Sequence, residues 1–355
     1  MDPKEYMDLS APDLTNDSRI RRRTHVGELT EIIRSKSERE FHLTFDPKSS
    51  IIERFTGNVQ IYWNGRIVLG PKWLSGFTVS FTAMIAIFGL FYSNIITRLK
   101  EEGLTTIEIA CNLEIFLFVI SLILMLLTGL SNPGIIPRDP REPCVRADVD
   151  PLSIDTTTGF LIPRYLLING VCVRQKFCRT CKIYRPPRSN HCSVCDNCVL
   201  KFDHHCMALG TCIGLGNYRW FLLLVINLTM LCASMVWLIR YQLTAADPAA
   251  SVSEFMSVHA VEFFLLAISI AGFVAFGLLA VYHFFITSHN LTTNEHVKKY
   301  YKVNPFDCGN RWINIAHALW YPQKLLPGAT GGDVEASYRE LASTNSECVS
   351  DFYDY

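Results

Sequence analysis

Four long apolar blocks, separated by polar segments, constrain this chain more than any other feature. They occupy residues 74–96, 109–130, 220–243 and 261–288. A helix of about 20 apolar residues crosses the hydrocarbon core of a bilayer, so each block has the length of a transmembrane span. A buried helix of a soluble protein can imitate one such block, but four with polar flanks are typical of a membrane protein. The sequence therefore predicts an all-α multi-pass membrane protein with four transmembrane helices.

The distribution of Lys and Arg orients these spans. Residues 1–73 and 131–219 carry 12 each and residues 289–355 carry 6, whereas the loops 97–108 and 240–260 carry 2 and 1. Basic residues concentrate in the cytosolic loops of membrane proteins. We therefore expect both termini and the long segment 131–219 to lie in the cytosol.

The polar segments divide the rest of the chain. We expect a mobile arm over 1–55, a pre-membrane segment over 56–73, a C-terminal region with an amphipathic helix over 289–327, and a disordered tail over 328–355. The 33 basic and 33 acidic residues cancel. This balance argues against a nucleic-acid partner, because binding to phosphate chains needs an excess of positive charge.

Cysteine spacing within the cytosolic segment indicates a metal-binding domain. Eight of the 13 cysteines lie between Cys172 and Cys212. Disulfides are rare in the cytosol, whereas CxxC pairs with intervening histidines suit tetrahedral zinc. Residues 178–212 hold seven Cys and three His. Two zinc sites with four ligands each use eight of these ten residues, which leaves one Cys and one His.

The run Asp203-His204-His205-Cys206 indicates a use for the remaining pair. A Cys beside a His forms a nucleophilic thiolate near neutral pH, and an Asp can orient the imidazole. Adjacent side chains diverge, so one His should face the thiol and the other a metal; the spacing leaves open which does which. The alternative is that every Cys and His is structural, in a zinc finger that binds a partner.

The segment 176–221 resembles the cysteine-rich domain of the DHHC protein S-acyltransferases, also called palmitoyltransferases. It reads C-x2-C-x9-HC-x2-C-x2-C-x4-DHHC-x5-C-x4-N-x3-F. Three shorter family motifs recur outside it: Asn132-Pro133-Gly134, Thr292-Thr293-Asn294-Glu295 and Asn304-Pro305-Phe306. The resemblance covers about residues 55–325. It implies a small cysteine-rich zinc domain of short β-hairpins between the second and third spans.

The resemblance also implies a role for each residue of the motif. Two structural zinc ions would each have four ligands: Cys178, Cys181, His191 and Cys198 for one, and Cys192, Cys195, His205 and Cys212 for the other. Cys206 would then be the nucleophile, His204 its base and Asp203 the residue that orients His204.

The implied reaction has two steps at the cytosolic membrane face. Cys206 takes an acyl group from a fatty acyl-CoA such as palmitoyl-CoA and passes it to a cysteine of a substrate protein. Six further residues are expected to support the site or to meet the CoA phosphates: Thr293, Glu295 and Asn304 for support, and Arg185, Arg188 and Lys201 for the phosphates.

The sequence departs from the family pattern at a few positions. Met207-Ala208 replaces the usual Pro-Trp, Thr211 replaces a common Asn, and Ile313 takes the place of another Asn, with Asn314 one residue later. These changes keep every predicted ligand. They leave a weakly active or inactive DHHC-like zinc scaffold, which recruits partners to the membrane, as the alternative function.

Partners and compartment follow from the resemblance as well. The stretch 56–72 is similar to a family branch of Golgi and plasma-membrane enzymes that often work with an accessory subunit. We therefore expect acyl-CoA, the bilayer, substrate proteins with membrane-proximal cysteines and an accessory subunit as partners, in endomembranes (Golgi) or the plasma membrane. A transporter is poorly supported, because Glu114 is expected at headgroup level and no ionisable residue at a span centre.

Overall fold

The computed structural model describes most of the chain between the predicted arm and the predicted tail. The described residues are 57–65, 67–101, 103–138, 164–246 and 251–320. The expected mobile arm (1–55) and the expected disordered tail (328–355) lie outside the described residues.

Within the described residues, four helices are long and apolar enough to cross a membrane, with 26 to 29 residues each. The helices in chain order are α1 (Trp73–Phe91), a π-helical turn (Tyr92–Ile96), α2 (Thr97–Glu101), α3 (Thr105–Leu130), α4 (Tyr218–Ala245), α5 (Val252–Val258), α6 (Ala260–Ser288), α7 (Thr293–Lys298) and α8 (Arg311–Trp320). Helix α1, the π-helical turn and α2 are continuous and together form the first span, Trp73–Glu101. At a rise of about 1.5 Å per residue, 26 residues extend about 39 Å, which exceeds a hydrocarbon core of about 30 Å.

Helix α4 packs against both α3 and α6 and forms the middle of the bundle. Its inward side chains include Leu231 and Leu238, which are buried. Asn227 adds a polar contact, because its Nδ2 donates to the Leu117 carbonyl at 2.9 Å and to Ser121 Oγ at 2.7 Å on α3. Such contacts hold helices together in lipid, where apolar side chains gain little by leaving the lipid tails.

Two carboxylates are buried inside the spans. Glu114 on α3 is fully buried and accepts a hydrogen bond from Ser234 on α4. Glu262, near the start of α6, is 2% exposed, and its Oε1 lies 2.9 Å from Arg98 Nη1. Glu114 is therefore enclosed by protein, which the apolar pattern did not reveal, and its depth at headgroup level stays a prediction. Each of these two side chains has a hydrogen-bond partner within the bundle, as is usual for ionisable residues in membrane-spanning helices.

The cysteine-rich part of the chain and the segment before the first span consist of short strands. In chain order they are β1 (Gln60–Tyr62), β2 (Ile67–Leu69), β3 (Ile135–Ile136), β4 (Arg164–Ile168), β5 (Val171–Gln175), β6 (Phe177–Cys178), β7 (Ile183–Tyr184), β8 (Asn190–Cys192), β9 (Asn197–Val199), β10 (His204–Cys206) and β11 (Thr211–Ile213). They form a three-stranded sheet β3-β9-β8 and the antiparallel pairs β1-β2, β4-β5, β6-β7 and β10-β11. Strands this short are marginal on their own. The predicted fold class, four membrane-spanning helices with a cysteine-rich domain of short strand pairs, is confirmed.

Asn217 fastens this domain to the membrane helices. It is completely buried, and its Nδ2 donates to the carbonyl oxygens of Thr128 on α3 at 3.1 Å and of Cys212 on β11 at 2.9 Å. Its Oδ1 accepts a hydrogen bond from the Gly214 N–H at 3.0 Å. One side chain thus joins the end of the second span, strand β11 and the start of the third span.

Helix α8 is anchored by the asparagine that the family pattern places one residue earlier. Asn314 is 2% exposed, and its Nδ2 donates to the Ser288 carbonyl and to Asp307 Oδ1, both at 2.8 Å. Ile313 is 42% exposed. Asn314 therefore supplies the inward amide at this position of the helix.

Candidate metal centres and active site

The first group of predicted ligands converges around one point. The ligand atoms of Cys178, Cys181, His191 and Cys198 all lie within 4.8 Å of one another. His191 Nδ1 is 3.5 Å, 3.5 Å and 3.8 Å from the three sulfur atoms in that order. On the outer side of the ring, His191 Nε2 lies 3.5 Å from Asp196 Oδ1. A partner on the outer nitrogen fixes the ring with its other nitrogen directed at the sulfurs.

The second group has the same arrangement. The ligand atoms of Cys192, Cys195, His205 and Cys212 also lie within 4.8 Å of one another. His205 Nδ1 is 3.7 Å, 3.4 Å and 3.6 Å from the three sulfurs in that order. The Sγ atoms of Cys195 and Cys212 are 3.5 Å apart. The two groupings are those that the family resemblance implies.

Both clusters fit a metal ion of the size and geometry of zinc. With Zn–S near 2.3 Å and Zn–N near 2.0–2.1 Å, a tetrahedron has S–N edges of about 3.6 Å and S–S edges of about 3.8 Å. The separations above lie close to these lengths. The neighbouring thiol of Cys178 raises the pKa of Cys181 to about 11, and that of Cys192 raises the pKa of Cys195 to about 12. Thiols crowded in this way can all lose their protons only if a cation lies between them.

Strand β10 separates the two adjacent histidines. It pairs with β11 so that His205 lies opposite Cys212 and Cys206 lies opposite Thr211. Successive side chains of a strand point to opposite faces. His205 therefore joins its pair-mate Cys212 in the second cluster, while His204 and Cys206 share the other face. This geometry answers the question that the spacing left open.

Asp203 orients the imidazole of His204. It is 1% exposed, and its Oδ2 lies 2.7 Å from His204 Nδ1. Burial acts to raise the pKa of Asp203, but the hydrogen bond with His204 and the positive groups around it lower the pKa below its usual range. Burial acts to lower the pKa of His204, but hydrogen bonds with Asp203 and Cys206 raise it to about 9. An imidazole held in this way can act as a base toward a thiol beside it.

The second oxygen of Asp203 is held by helix α7. Asp203 Oδ1 accepts a hydrogen bond from the backbone N–H of Thr293 at 2.7 Å. Thr292 caps this helix: its Oγ1 accepts from the Glu295 N–H at 3.2 Å, and Glu295 Oε2 accepts from the Thr292 N–H at 2.8 Å. This capping box fixes the first turn of α7, and with it the donor that Asp203 uses.

A buried ion pair links α7 to the cysteine-rich domain. Arg188 donates from Nε to Glu295 Oε1 at 2.9 Å and from Nη2 to Oε2 at 2.8 Å. Its Nη1 donates to Asn290 Oδ1 at 2.9 Å. The guanidinium also stacks on Phe306, with the guanidinium carbon 4.6 Å from the ring centroid. Asn304 completes the support, because its Nδ2 donates to the His289 carbonyl at 2.6 Å.

Asn290 is a supporting residue that the motifs did not mark. Its Nδ2 donates to the Phe306 carbonyl at 2.5 Å while its own oxygens accept from Arg188. A signal was present in the sequence: an asparagine directly after the fourth apolar block and just before Thr292. Polar residues at such a boundary favour helix ends and turns.

An apolar cavity of about 370 Å³ opens beside the Cys206 thiol. Along α4 its lining extends from Phe221 to Met235, about 21 Å at the rise of an α-helix. Its walls also include Phe88 on α1 and Phe118 on α3, which stack with ring centroids 3.7 Å apart. No motif marks these residues, because all faces of a membrane helix are rich in apolar side chains. The cavity can hold a long hydrocarbon chain whose reactive end lies at Cys206.

The three residues predicted to meet CoA phosphates have different surroundings. Arg185 Nη1 donates to Asn190 Oδ1 at 2.7 Å. Arg188 is 10% exposed in its ion pair with Glu295. Burial, with the nearby Arg188 adding to it, lowers the pKa of Lys201 to about 7. Their contact with phosphate stays a prediction.

Comparison with known proteins agrees with this geometry. The family described as DHHC palmitoyltransferase matches residues 172–300. The human palmitoyltransferase ZDHHC14 is 32% identical over 288 residues, which are 76% of this chain and 57% of that protein. The chain belongs to the DHHC palmitoyltransferase family.

Further members of the DHHC family match a similar share of the chain. The probable protein S-acyltransferase 5 of Arabidopsis thaliana is 33% identical over 269 residues, 71% of this chain and 55% of that protein. The human palmitoyltransferase ZDHHC18 is 34% identical over 253 residues, 69% of this chain and 63% of that protein. The chain thus spans about 55% to 63% of the length of these relatives.

The DHHC match contains both clusters and the residues around Cys206. Of the supporting residues, Thr293 and Glu295 lie inside it and Asn304 lies just beyond its end. Two departures from the DHHC pattern directly follow Cys206, where Met207 is 54% exposed and Ala208 lines the cavity, whereas a third, Thr211, is 1% exposed. They therefore alter the surroundings of the thiol and leave both clusters intact.

Proposed function

We propose that this chain is a protein S-acyltransferase that takes a long-chain acyl group from acyl-CoA onto Cys206 and passes it to a cysteine of a substrate protein. One observation carries the proposal. Cys206 lines the apolar cavity and lies on the same strand face as His204, whose Nδ1 is held by Asp203.

The first step forms the acyl-enzyme. His204 accepts the proton of the Cys206 thiol, and the thiolate attacks the carbonyl carbon of the acyl-CoA thioester. The carbon–sulfur bond to CoA then breaks, and the CoA thiolate takes the proton back from His204. Asp203 stabilises the imidazolium between these events.

The second step repeats the exchange with a protein thiol. His204 accepts a proton from the acceptor cysteine, whose thiolate attacks the acyl group on Cys206. The bond to Cys206 breaks and its sulfur is reprotonated. One thioester replaces another at each stage, so no external energy source is needed.

The two Cys/His clusters have structural roles in this proposal. Each would hold one Zn²⁺ through three thiolates and one imidazole, and a bound zinc would fix the surrounding hairpins without offering an open coordination position. The second cluster includes His205 and therefore fixes β10, the strand that carries Cys206. Strands of two to five residues need such a constraint to hold a side chain in place.

The acyl chain occupies the cavity between the spans. A depth of about 21 Å along α4 exceeds the half-thickness of a hydrocarbon core of about 30 Å, so a membrane-length acyl chain fits. Arg185 and Lys201 supply positive charge for the CoA phosphates, whereas the charge of Arg188 is already paired with Glu295.

The proposed location and partners rest on the Lys and Arg distribution and on the family resemblance. The chain works as a multi-pass protein of the Golgi, other endomembranes or the plasma membrane, with both termini in the cytosol. Its acceptors are proteins with cysteines near the membrane surface. An accessory subunit assists it.

The test uses the full chain, purified and supplied with labelled palmitoyl-CoA. We expect hydroxylamine-labile label on wild type and on a Cys308→Ser control, and none on Cys206→Ser, with about two zinc ions per chain in all three. Cys308 is buried and lies outside both clusters. Zinc-loaded wild type without label, alone or in a membrane extract that supplies partners, would instead favour the scaffold function. Label that appears after Met207→Pro and Ala208→Trp would then attribute the loss to these two positions.

A further inference from the structure

The turn that follows Cys206 lies backbone to backbone against the first turn of α1. A Cβ atom added to Gly76 would overlap the carbonyl oxygen of Met207, and one added to Gly70 would overlap the carbonyl oxygen of Gly210. Such an approach is open only to glycine, which has no Cβ. Gly70, before the first span, and Gly76, within it, thus allow the two ends of the turn 207–210 to pack directly against the backbone of this segment.

The contact is reciprocal. Gly210 has φ of +63°, and a Cβ at this position would lie 2.6 Å from Trp73 Cα and 2.7 Å from the Lys72 carbonyl oxygen. The turn closes on itself through a hydrogen bond from the Gly210 N–H to the Met207 carbonyl at 3.3 Å. Leu209 is 5% exposed and packs in the same cluster as Phe77 of α1. The turn is therefore held by α1 through both backbone and side chain.

The residues that precede α1 also contact the second Cys/His cluster. The Asn58 N–H donates to the Cys195 carbonyl at 2.9 Å, and Asn58 Nδ2 donates to the Val194 carbonyl at 3.2 Å. Val68 is 1% exposed in a hydrophobic cluster with Cys192, Cys195 and Cys212. The described residues 57–65 and 67–76 are here called the brace. The brace contacts both the second Cys/His cluster and the turn 207–210.

We propose that the brace positions the Cys206 thiol for acyl transfer, through the contact of Gly70 and Gly76 with the turn 207–210. The inference rests on the proposed function and adds a positioning role to the first span. Met207 directly follows Cys206, so a shift of the Met207 carbonyl moves the nucleophile relative to the cavity that Cys206 lines. Displacements of about 1 Å at a reacting group can cost on the order of a hundredfold in rate.

The test compares two glycine substitutions in the same helix. Gly76→Ala places a Cβ against Met207, whereas Gly89→Ala meets nothing within 4 Å. Both changes improve helix propensity, so a weakened helix explains neither outcome. The measurements are the single-turnover rate of Cys206 acylation at saturating palmitoyl-CoA, the half-saturating palmitoyl-CoA concentration, and zinc content per chain.

We expect Gly76→Ala to acylate about tenfold to a hundredfold more slowly at saturating donor, with an unchanged half-saturating concentration and full zinc content. Gly89→Ala should match wild type. An unchanged rate in Gly76→Ala, or a raised half-saturating concentration without a lower saturated rate, would overturn the proposal, because the contact would then be idle or would shape donor binding only.

Gly70→Ala is the second variant if Gly76→Ala does not yield zinc-loaded protein. If neither variant yields such protein, the contact is a folding element and the positioning role is refuted. A wild-type chain that takes no label contradicts the proposed function itself. Labelled wild type with an equally fast Gly76→Ala contradicts only the role of the brace.

Discussion

The guanidinium of Arg188 and the carboxylate of Glu295 meet at two points, with Nε–Oε1 at 2.9 Å and Nη2–Oε2 at 2.8 Å. Their side chains are 10% and 1% exposed. Arg188 belongs to the cysteine-rich domain, whereas Glu295 follows the fourth span by a few residues. This pair therefore joins the cysteine-rich domain, which contains Asp203 and His204, to helix α7, whose Thr293 N–H donates to Asp203.

Loss of one charge from this pair should destabilise the fold. Glu295→Gln keeps a residue that can complete the capping box but leaves the Arg188 charge buried and uncompensated, a loss of about 3–5 kcal/mol in the free energy of unfolding. The matched control is Glu254→Gln, because Glu254 occupies the same position of α5 after the cap Ser251 and is exposed. Thermal unfolding in detergent measures both, and equal midpoints for the two variants would contradict the prediction.

The donor that helix α7 offers to Asp203 can be removed without removing the helix. Thr293 is the first residue after the cap, where proline is well tolerated. Thr293→Pro deletes the backbone N–H and should slow Cys206 acylation about tenfold to a hundredfold, since a hydrogen bond to a charged group contributes about 1.5–3 kcal/mol. Thr293→Ala keeps the N–H and should retain most activity. Single-turnover acylation distinguishes the two, and equal rates would show that this hydrogen bond does not matter.

Substitutions of the two adjacent histidines should impair different properties, zinc binding in one case and acylation in the other. His205→Gln removes a ligand of the second cluster, so zinc content should fall by about one ion per chain. His204→Gln lies on the other face of β10 and should keep both ions while losing acylation. Zinc measured by native mass spectrometry, together with palmitoyl-CoA labelling, tests this pair. Loss of zinc from the His204 variant would place the two histidines the other way round.

The depth of the cavity should set the length of the acyl chain used. Ser269 lines the cavity and is 1% exposed, so Ser269→Phe should block its interior. We expect slower acylation with sixteen-carbon donors and near-normal acylation with ten-carbon donors. Leu278→Phe on the same helix is the control, because Leu278 is 68% exposed on the lipid-facing side. A competition assay with mixed acyl-CoAs reads out the preference, and an unchanged preference in Ser269→Phe would locate the chain elsewhere.

Local patterns were enough to predict part of this structure. An apolar block of sufficient length becomes a span whatever its neighbours do, because an unsatisfied backbone in lipid forces a helix. Closely spaced cysteines and histidines are brought together by short hairpins, so candidate ligands could be grouped from the family pattern. The burial of Glu114 was missed, because its place depends on Ser234, which follows 120 residues later.

The sequence by itself determined the four spans, the ten Cys and His residues available to two metal sites, and the DHHC run that marks the family. Only the tertiary structure decided which histidine faces Cys206, because strand alternation and the pairing of His205 with Cys212 set that choice. It also decided where the cavity opens and that Gly76 meets Met207. These features arise from contacts between residues that are far apart along the chain, and packing of the spans against the cysteine-rich domain brings such residues together.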